Sequence, residues 1–513
     1  MQRKLRVMLA FYEAAPFMKT GGLGDVGGSL PGALTRSGID ARVVMPRFRT
    51  IPEVFRSKMT RLAEINVPLG WRNQTCGIWT LPWEGTTYYF LENDYYFGRE
   101  KPYGYYDDGE RIAFFSKAVC EFLKALPDFP CDILHCNDWH TALSPVFLRE
   151  CYRGLPSYER IKTVFTIHNL KFQGVMSDFV LGDVLGLGGI PAAETQLRAT
   201  EDTVNYMKGA LLYSDFLTTV SPTYAEEIKM AYYGENMEGI FRKRADVLCG
   251  ILNGLSTDEF DPATDPALPA HFTADDLAGK AVCKAAVQRE FGLPVDPSVP
   301  LVAFISRLTE QKGLDLFDAI ADELLEEKLQ AVICGTGDKA YGEDLRRIAE
   351  RHSNMAVRSF DETVSRRLYA GADILLMPSK FEPCGLSQMI AMRYGTLPVV
   401  RRTGGLADSV VPYNKYTGEG TGFRFQNFNA HELLFTTKDA AELFRTRPDV
   451  WRKLMLQAMA YNVSWDESAK QYRAIYERLV PSGAEPSAPK KPAKAKPAAK
   501  KTAAAKKTTT KTK

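Results

Sequence analysis

Two basic side chains lie where a diphosphate group could bind. Arg307 and Lys312 belong to the run RLTEQKG, which follows an apolar segment at residues 301–306 and precedes an amphipathic stretch. Parallel α/β sheets bind ligands in the crevice outside the carboxyl ends of their strands, and two cations held there suit a diphosphate. An isolated Arg or Lys is usually a solvated surface residue. The interpretation therefore depends on this position and on the turn at Gly335 and Gly337, which ends the neighbouring strand.

Glu382 is a second candidate for chemistry. It follows the predicted strand DILLM (373–377) and comes directly before a predicted helix, with Pro383 fixing the turn between them. A carboxylate at this position can bind sugar hydroxyls or stabilise developing positive charge. The alternative is a carboxylate that interacts only with the dipole of the helix N-terminus, which requires no ligand.

Two glycine-rich turns offer backbone N–H groups to an anion. KTGGLGD (19–25) lies between a predicted strand and its helix, and TGGLADSV (403–410) repeats the same design. Glycine lets the backbone approach a ligand and a helix N-terminus favours negative charge, while Lys19 adds a positive charge at the rim. Neither turn matches the dinucleotide fingerprint G-x-G-x-x-G or a P-loop, so each could instead be only a tight connection between strand and helix.

Histidine and aspartate side chains cluster at strand ends in the first half. HCNDWH places His135, Asp138 and His140 after one predicted strand, and TIHN places His168 after another. The two histidines of the first motif are five residues apart at a strand exit, rather than four apart on a helix, and no acidic cluster accompanies them. We therefore expect no zinc site. Asp138 and His168 are predicted to contact a substrate, and Asp138 could at the same time cap the helix predicted over 140–150.

These residues need a scaffold, and the sequence predicts an α/β fold with two doubly wound domains. Residues 5–10 and 41–46 are apolar runs separated by a glycine-rich loop and an amphipathic stretch, which predicts a parallel strand–helix–strand unit. Residues 301–306 and 331–334 repeat this pattern in the second half. Further strands are predicted at 131–135, 163–167, 216–220, 373–377 and 396–400.

The domain boundary is predicted near residue 255. Residues 251–272 are rich in Pro, Asp and Gly and lack periodicity, which is typical of a connection between domains. Near the end of the chain, residues 464–480 carry an aromatic and aliphatic stripe at helical spacing. We predict that this segment is a helix that closes the fold.

The composition excludes several classes of protein. The chain has 513 residues, of which 45% are hydrophobic and 25% charged, and no apolar run reaches the roughly 18 residues of a membrane-spanning helix. Glu13 and Pro16 interrupt the apolar stretch near the N-terminus, so we expect no secretory signal. Nine scattered cysteines without a C-x-x-C pair predict neither a disulfide framework nor a zinc knuckle, and we expect a reducing cytoplasm.

Residues 481–513 form a lysine-rich tail. They contain ten lysines and one glutamate but no aromatic or large aliphatic residue, so they are predicted to be disordered. Taking them out of the totals of 65 basic and 62 acidic residues leaves 55 and 61, so the folded part is mildly acidic. The tail could make a weak contact with an anionic polymer, or it could be a solvated extension without a specific partner.

Eight motifs, taken in order, resemble the bacterial and plant glycogen/starch synthase family. They are KTGGLGD, NDWH, TIHN, the NGL of 253–255, RLTEQKG, CGTGD, FEPCGLSQ and RRTGGLADSV. The resemblance runs from about residue 4 to residue 480 and implies the GT-B architecture, two Rossmann-like domains facing each other across a cleft. It places an acceptor-side domain at 1–255, a nucleotide-sugar-binding domain at 256–463 and a helix that crosses back at 464–480.

The resemblance also implies a reaction. The family transfers glucose from ADP-glucose to the non-reducing 4-OH of an α-1,4-glucan, with retention at the anomeric carbon and without a metal or other cofactor. By motif match, Arg307 and Lys312 would neutralise the diphosphate leaving group. Glu382 would hold the donor glucose and oppose oxocarbenium charge, and His168 would contact the sugar. Asp138 would help to organise the acceptor side.

Further residues are assigned to substrate binding by the same motif match. They are Lys19, Gly21, Gly22, Asp25, Asn253, Gly335, Gly337, Cys384, Gly385, Leu386, Thr403, Gly404 and Gly405. Many retaining GT-B enzymes carry a second glutamate eight residues after the first, and Ile390 takes that place here. Contacts to the donor ribose must therefore come from elsewhere.

Other functions remain open at the level of sequence. The same fold could use UDP-glucose, or could serve as a sugar-nucleotide sensor without catalysis. A nicotinamide-dependent oxidoreductase would need the G-x-G-x-x-G spacing, which is missing. Only the lysine-rich tail suggests nucleic-acid binding, and the acidic body makes any such binding accessory. The sequence does not determine glucan length preference, effectors or oligomeric state.

Overall fold

The computed structural model describes residues 4–481, so the disorder predicted for the tail falls almost wholly outside the described residues. The strands of the first half are β1 Arg6–Ala10, β2 Asp40–Pro46, β3 Thr60–Leu69, β4 Arg72–Trp83, β5 Thr86–Glu92, β6 Ile133–Asn137, β7 Lys162–Ile167, β8 Val175–Ser177, β9 Thr203–Asn205, β10 Phe216–Thr219 and β11 Leu248–Gly250. Its helices are α1 Gly22–Arg36, α2 Glu53–Arg56, α3 Asp94–Phe97, α4 Asp108–Lys124, α5 Leu143–Glu150, α6 Pro156–Glu159, α7 Phe179–Asp183, α8 Pro191–Leu197, α9 Tyr206–Tyr213, α10 Pro222–Glu227 and α11 Glu238–Lys243.

The second half has the same alternation of strands and helices. Its strands are β12 Leu301–Leu308, β13 Gln330–Gly337, β14 Met355–Arg358, β15 Ile374–Met377, β16 Leu397–Arg401 and β17 Phe423–Phe425. Its helices are α12 Ala278–Glu290, α13 Leu314–Leu325, α14 Lys339–Arg351, α15 Glu362–Gly371, α16 Ser387–Arg393, α17 Gly404–Ser409, α18 Ala430–Thr446, α19 Pro448–Ala460 and α20 Trp465–Leu479.

The first half is built around a nine-stranded sheet in the order β11-β10-β7-β6-β1-β2-β5-β4-β3. Its strands pair in parallel, except that β4 is antiparallel to both β3 and β5. The chain starts in the middle at β1, builds outwards through β2, and later returns to β6 on the other side of β1. The strand order therefore reverses between β1 and β6, which opens a crevice at their carboxyl ends.

The second half is built around a six-stranded sheet in the order β14-β13-β12-β15-β16-β17. All neighbouring strands pair in parallel. This is the strand order of the Rossmann fold, and its reversal lies between β12 and β15. The predicted α/β class with two doubly wound domains is confirmed.

Each sheet has its own hydrophobic core. The first core collects side chains from β1 to β11 and ends along the chain at Ile251, while Leu255 already packs in the second core. Helix α20 returns to the first core, where its stripe of Trp465, Tyr472 and Tyr476 is buried. Its position links the end of the described chain to the first sheet.

Two segments of the chain, one around Leu255 and one around Val463, pass side by side from one half to the other. The backbone N–H of Leu255 donates to the carbonyl of Val463 at 2.6 Å, and the Ser468 hydroxyl donates to the carbonyl of Leu252 at 2.6 Å. At Gly254 a side chain would overlap the backbone of Trp465, because the two crossings touch there. The only residue that fits this position is one without a Cβ.

The structure corrects several details of the sequence interpretation. Strand β12 continues through Leu308 and β13 through Gly337, so Arg307, Gly335 and Gly337 lie at strand ends and not in loops. The parallel ladder extends that far because the two strands satisfy each other's backbone groups. The antiparallel pair β3–β4 was not predicted. Finally, α1 begins at Gly22, inside the glycine-rich turn.

No helix within the described range 4–481 is long and apolar enough to cross a membrane.

Candidate active site

The predicted site residues lie near the carboxyl ends of strands in both sheets. Loops after β1 and β6 come from the first half, and loops after β12 and β15 come from the second. Between the halves is a pocket of about 230 Å³, lined by Lys171 and Tyr224 from one side and by Gln311 and Phe381 from the other. The Lys171 ammonium lies 5.9 Å from the centre of the Phe381 ring. The chain just after His168 and the loops that carry Lys312 and Glu382 therefore line one pocket.

Lys312 and Glu382 form an ion pair at the reversal point of the second sheet. Lys312 Nζ lies 2.6 Å from Glu382 Oε2, and the Ser379 hydroxyl donates to the same oxygen at 2.9 Å. The Glu382 side chain is only 8% exposed. Its other oxygen, Oε1, makes no hydrogen bond to any residue of the described chain, so it remains available to a ligand.

Arg307, five residues before Lys312 in the chain, is an exposed cation. It lies at the carboxyl end of β12, opposite Thr336 of β13. The side chain is exposed and forms no ion pair with a described residue. An unpaired guanidinium at this strand end can donate to an anion with fixed geometry without first breaking a salt bridge.

The KTGGLGD turn presents a cation and an uncapped helix N-terminus. Lys19 Nζ lies 2.6 Å from Asp25 Oδ1, and both side chains are partly exposed. The exposed Gly21 is the N-cap of α1 and Gly22 its first residue, and no side chain caps the helix. The turn is held from behind by the buried carboxylate of Glu13, which accepts from the N–H of Thr20 at 2.5 Å and from its hydroxyl at 2.8 Å. This arrangement leaves the first N–H groups of α1 open to the cleft.

Asp138 is the most constrained residue of the site. It follows β6 with φ 60° and ψ 177°, a backbone region that only glycine adopts easily. Its side chain is 6% exposed, and Oδ1 is buried without a hydrogen-bond partner among the described residues. Burial raises the pKa of Asp138 to about 7. The backbone N–H groups of Trp139, His168 and Asn169 face the carboxylate but lower its pKa less than burial raises it. A strained backbone and one buried oxygen without a partner mark a position shaped for a ligand.

His168 is held as a neutral imidazole of one tautomer. Asn137 donates its amide N–H to the carbonyls of Ala10 and His135, both at 3.3 Å, so its Oδ1 must face His168. That oxygen can only accept, so His168 Nε2, 3.0 Å away, carries the proton and Nδ1 keeps its lone pair. Burial lowers the pKa of His168 to about 3. Near neutral pH it contacts ligands through hydrogen bonds and not through charge.

The other two histidines of the first half do not belong to the site chemistry. His135 is fully buried and bonds Tyr476 Oη at 2.7 Å and Thr166 Oγ1 at 2.6 Å. His140 stacks on the ring of Tyr12 with centroids 4.9 Å apart. Burial lowers the pKa of each to about 3. Within residues 4–481, no three His, Cys, Asp or Glu side chains come together in a way that could hold a metal ion.

The turn at Cys384, Gly385 and Leu386 follows Glu382 and leads into α16. Leu386 is the N-cap of that helix, without a side-chain cap. Burial raises the pKa of the Cys384 thiol to about 12, so it is not a nucleophile. Gln388 supports the turn by donating to the carbonyls of Cys384 at 3.1 Å and Gly385 at 3.0 Å. The turn can therefore offer backbone donors to a ligand from a fixed position.

The turn at Thr403, Gly404 and Gly405 departs from the prediction. The Gly404 N–H donates to the carboxylate of Glu227, at 3.1 and 3.2 Å to its two oxygens, and the Thr403 hydroxyl donates at 2.9 Å. The Gly405 N–H donates to the carbonyl of Glu382 at 3.0 Å. The prediction of free phosphate donors is wrong for these two amides, because the protein itself occupies them.

Three further predicted residues lie in the surrounding framework. At Gly335 and Gly337 a side chain would overlap the carbonyls of Ser306 and Leu308, so close strand packing explains both glycines without a ligand. Asn253 is 8% exposed, and its Oδ1 has no hydrogen-bond partner among the described residues. Its backbone lies against the thiol of Cys384. Asn253 therefore lies near the turn that follows Glu382, and its Oδ1 is an acceptor without a partner among the described residues.

Sequence reasoning missed the residues that hold these groups in place. Asn137 sits inside the quoted NDWH motif, so its polar side chain at a buried strand end was a usable signal. Glu13 and Glu227 carried no such signal, because nothing in a single sequence shows that a glutamate is buried against backbone N–H groups of a distant segment.

Comparisons with known proteins agree with this geometry. The model of the starch synthase catalytic domain matches residues 6–243, and that of glycosyl transferases group 1 matches residues 289–439. The chain is 48% identical over 478 residues to a glycogen synthase from Geobacillus thermodenitrificans, covering 93% of this chain and 98% of that relative. It is 47% identical over 477 residues to a glycogen synthase from Desulfitobacterium hafniense, covering 93% and 99%.

The chain belongs to the glycogen synthase family. It is a glycosyltransferase, as the two glycosyltransferase domains and the curated relatives show.

Solved structures show the fold of this family member. The catalytic domain of starch synthase IV from Arabidopsis thaliana, bound to ADP and acarbose, matches with a TM-score of 0.84 and 33% identity over 93% of this chain and 99% of that chain. A sucrose-phosphate synthase from Thermosynechococcus elongatus matches with a TM-score of 0.57 and 16% identity, over the same shares of the two chains, which supports the fold alone. The GT-B architecture expected from the motifs is confirmed.

Proposed function

We propose that the enzyme transfers glucose from ADP-glucose to the non-reducing 4-OH of an α-1,4-glucan, with retention at the anomeric carbon. The observation that carries the proposal is the Lys312–Glu382 pair at the reversal point of the second sheet, where the unpaired Arg307 ends β12. Diphosphate leaving groups need fixed positive charge, and a glucosyl cation needs a nearby carboxylate. The solved starch synthase IV, which contains ADP and acarbose, supports a nucleotide and a glucan as ligand classes.

The proposed step breaks the bond between glucose C1 and a phosphate oxygen. The electron pair goes to the phosphate oxygen, where Arg307 and Lys312 stabilise the negative charge. The acceptor O4 forms its bond to C1 on the same face, and its proton passes to the leaving phosphate oxygen. Glu382 opposes the positive charge that develops on the sugar, and neutral His168 positions the sugar by a hydrogen bond.

We assign Asp138 to the acceptor side. Its Oδ1, which is buried without a partner among the described residues, would accept a hydrogen bond from a sugar hydroxyl, and this would offset the cost of burying that oxygen. The remaining motif residues, including Lys19, Asp25 and the Cys384–Leu386 turn, stay proposals for substrate contact. We likewise propose 1–255, 256–463 and 464–480 as the functional units, and the cytoplasm as the compartment, since all nine cysteines are free.

The test is an assay of glucosyl transfer to a glycogen primer. Purified enzyme is given labelled ADP-glucose or UDP-glucose, with and without EDTA. We expect incorporation from ADP-glucose, unchanged by EDTA, and much less from UDP-glucose. An α-anomeric product by NMR would support retention. Preference for UDP-glucose would overturn the donor, and loss of activity on chelation would overturn the metal-free step.

A further inference from the structure

Helix α10 of the first half contacts the loop that carries Glu382. The helix spans Pro222–Glu227, and its N-cap Ser221 accepts a hydrogen bond from the Tyr224 N–H at 3.1 Å. The same Ser221 hydroxyl donates to the carbonyl of Pro383 at 2.7 Å, and Ser221 is fully buried. The residue after Glu382 is thus tied directly to the cap of a helix in the other half.

Glu227, at the other end of α10, supports the Glu382 loop from behind. Its carboxylate accepts from Gly404 and Thr403, as described above, and its residue is 7% exposed. Gly404 has φ 41°, and a side chain there or at Gly405 would overlap the backbone of residues 382–384. The Thr403–Gly405 turn is therefore pressed between Glu227 and the Glu382 loop.

Three more hydrogen bonds fix this helix and the segment after it to the second half. The Thr223 N–H and hydroxyl donate to the Asp408 carboxylate at 2.8 and 2.6 Å, and Arg401 donates to the hydroxyl of Tyr233 at 2.8 Å. On the other side, the Leu170 N–H donates to the Tyr224 hydroxyl at 3.3 Å, two residues after His168. Helix α10 thus touches the loops of both halves that carry site residues.

We propose that Glu227 is a positioning residue that sets Glu382 for transfer by bracing the Thr403–Gly405 turn behind it. The inference rests on the proposed function. A buried carboxylate is costly unless donors meet it, and its three donor contacts all come from the second half. The brace is therefore complete only when the two halves are in contact. Small misplacements of a catalytic group cost large factors in rate, so the brace should affect turnover more than ground-state binding.

The test compares three variants on one helix. Glu227→Ala removes both acceptor oxygens, Glu227→Gln keeps one, and Glu226→Ala removes an exposed carboxylate that only pairs with Lys229. We expect Glu227→Ala to lower kcat about tenfold or more while the KM for ADP-glucose changes less than about threefold. Glu227→Gln should recover part of the loss, because its amide oxygen still accepts from the Gly404 N–H. Glu226→Ala should match the wild type.

Hydrogen exchange gives a readout that does not depend on activity. In the full-length protein, a peptide covering residues 380–388 should exchange faster in Glu227→Ala than in the wild type, and at the wild-type rate in Glu226→Ala. A wild-type enzyme inactive on glycogen with this exchange pattern would overturn the proposed function and leave the brace supported. Unchanged exchange, or unchanged kcat in an active Glu227→Ala enzyme, would overturn the inference.

Discussion

At the scale of single residues, Asp138 has two features that destabilise the folded protein and that an aspartate with a purely structural role would not have. Its backbone occupies a strained region, which costs on the order of 1–3 kcal/mol, and its carboxylate is buried with an unsatisfied oxygen. The helix-cap role considered from sequence is not observed, since its side chain makes no cap hydrogen bond to the short helical turn at Trp139–Thr141. The position is therefore better explained by a ligand than by local structure.

Asp138→Asn should change stability in a pH-dependent way. The pKa is about 7 in the folded protein and about 3.9 when unfolded, so the native state binds the extra proton between these values. The stability contributed by protonated Asp138 is complete below about pH 4 and is lost progressively as the pH rises from there to about 7. We expect the stability gain of Asp138→Asn over wild type to be about 2–3 kcal/mol larger at pH 8 than at pH 5.

Chemical denaturation at the two pH values measures this difference. Asp449→Asn is the matched control, because Asp449 is an exposed carboxylate on α19. If the stability gain of Asp138→Asn over wild type were no larger at pH 8 than at pH 5, the raised pKa of Asp138 would be wrong. Glucosyl transfer should fall in this variant at both pH values.

Arg307→Ala should lower activity without lowering stability. The side chain is exposed and unpaired, so its removal leaves no buried charge behind. We expect kcat to fall by about a factor of 100, which corresponds to about 2.7 kcal/mol of transition-state stabilisation. Steady-state kinetics and a thermal melt measure the two effects, with the exposed Arg452→Ala on α19 as control. A raised KM with normal kcat would contradict the leaving-group role.

Lys312→Met should differ from Arg307→Ala by destabilising the fold as well. It would leave the 8% exposed Glu382 carboxylate without its counterion, and breaking one half of a buried pair costs about 3–5 kcal/mol. The double variant Lys312→Met with Glu382→Gln should recover stability but not activity. Chemical denaturation of the single and double variants measures their free energies of unfolding. Equal stability of Lys312→Met and wild type would show that the pair is not needed for folding.

At the scale of elements, the crossing between the halves depends on Gly254. A methyl group there would overlap the backbone of Trp465, and backbone cannot move aside as a side chain can. Gly254→Ala should therefore destabilise the protein by about 1–3 kcal/mol. Gly239→Ala is the matched control, because Gly239 lies in α11 with open space around it and should be neutral or stabilising. Urea denaturation measures both, and equal effects would contradict tight packing at the crossing.

The pattern of apolar residues predicted the central strands and the last helix because each is buried either along its whole length or along one face. Strands β1 and β12 lie inside parallel sheets and are mostly continuous apolar runs, and α20 has an amphipathic stripe. The hairpin of β3 and β4 was missed for two reasons. Strand β3 is exposed along most of its length, and β4 mixes buried and exposed residues without regular alternation. Its stability comes from pairing at the sheet edge, which the local sequence does not show.

At the scale of the whole molecule, the two halves should close on the donor. They are joined by two adjacent crossings, and the site residues come from both sides. We expect saturating ADP-glucose to reduce the radius of gyration in small-angle scattering, because such domains move as hinged bodies. Arg307→Ala, which lacks one diphosphate contact, should close less. No change in the wild type at verified saturation would argue against closure.

The lysine-rich tail should be separable from catalysis. Neutral glucan offers no countercharge to ten lysines, whereas an anionic polymer does. Deleting residues 481–513 should leave glucosyl transfer to glycogen within about twofold of wild type while abolishing retention on heparin at low salt. Loss of most transfer activity at physiological salt would show that the tail takes part in the reaction.

Taken alone, the sequence determined which residues could do chemistry and that strand ends would carry them. The candidates it proposed are Arg307, Lys312, Glu382, Asp138 and His168, and it could propose them because strand–loop–helix order is a local property and motifs are contiguous. Only the tertiary structure decided how these groups behave. The neutral state of His168 depends on burial and on its Asn137 partner, and the pKa of Asp138 depends on burial in the folded protein.

The tertiary structure also decided which backbone donors are free. The turns at 19–25 and 403–410 are alike in sequence, yet the first opens to the cleft and the second is filled by Glu227. Glu227 lies 177 residues from Gly404 in the chain. A hydrogen bond over that separation exists only because two independently folded sheets are brought into contact, and no local pattern encodes that contact.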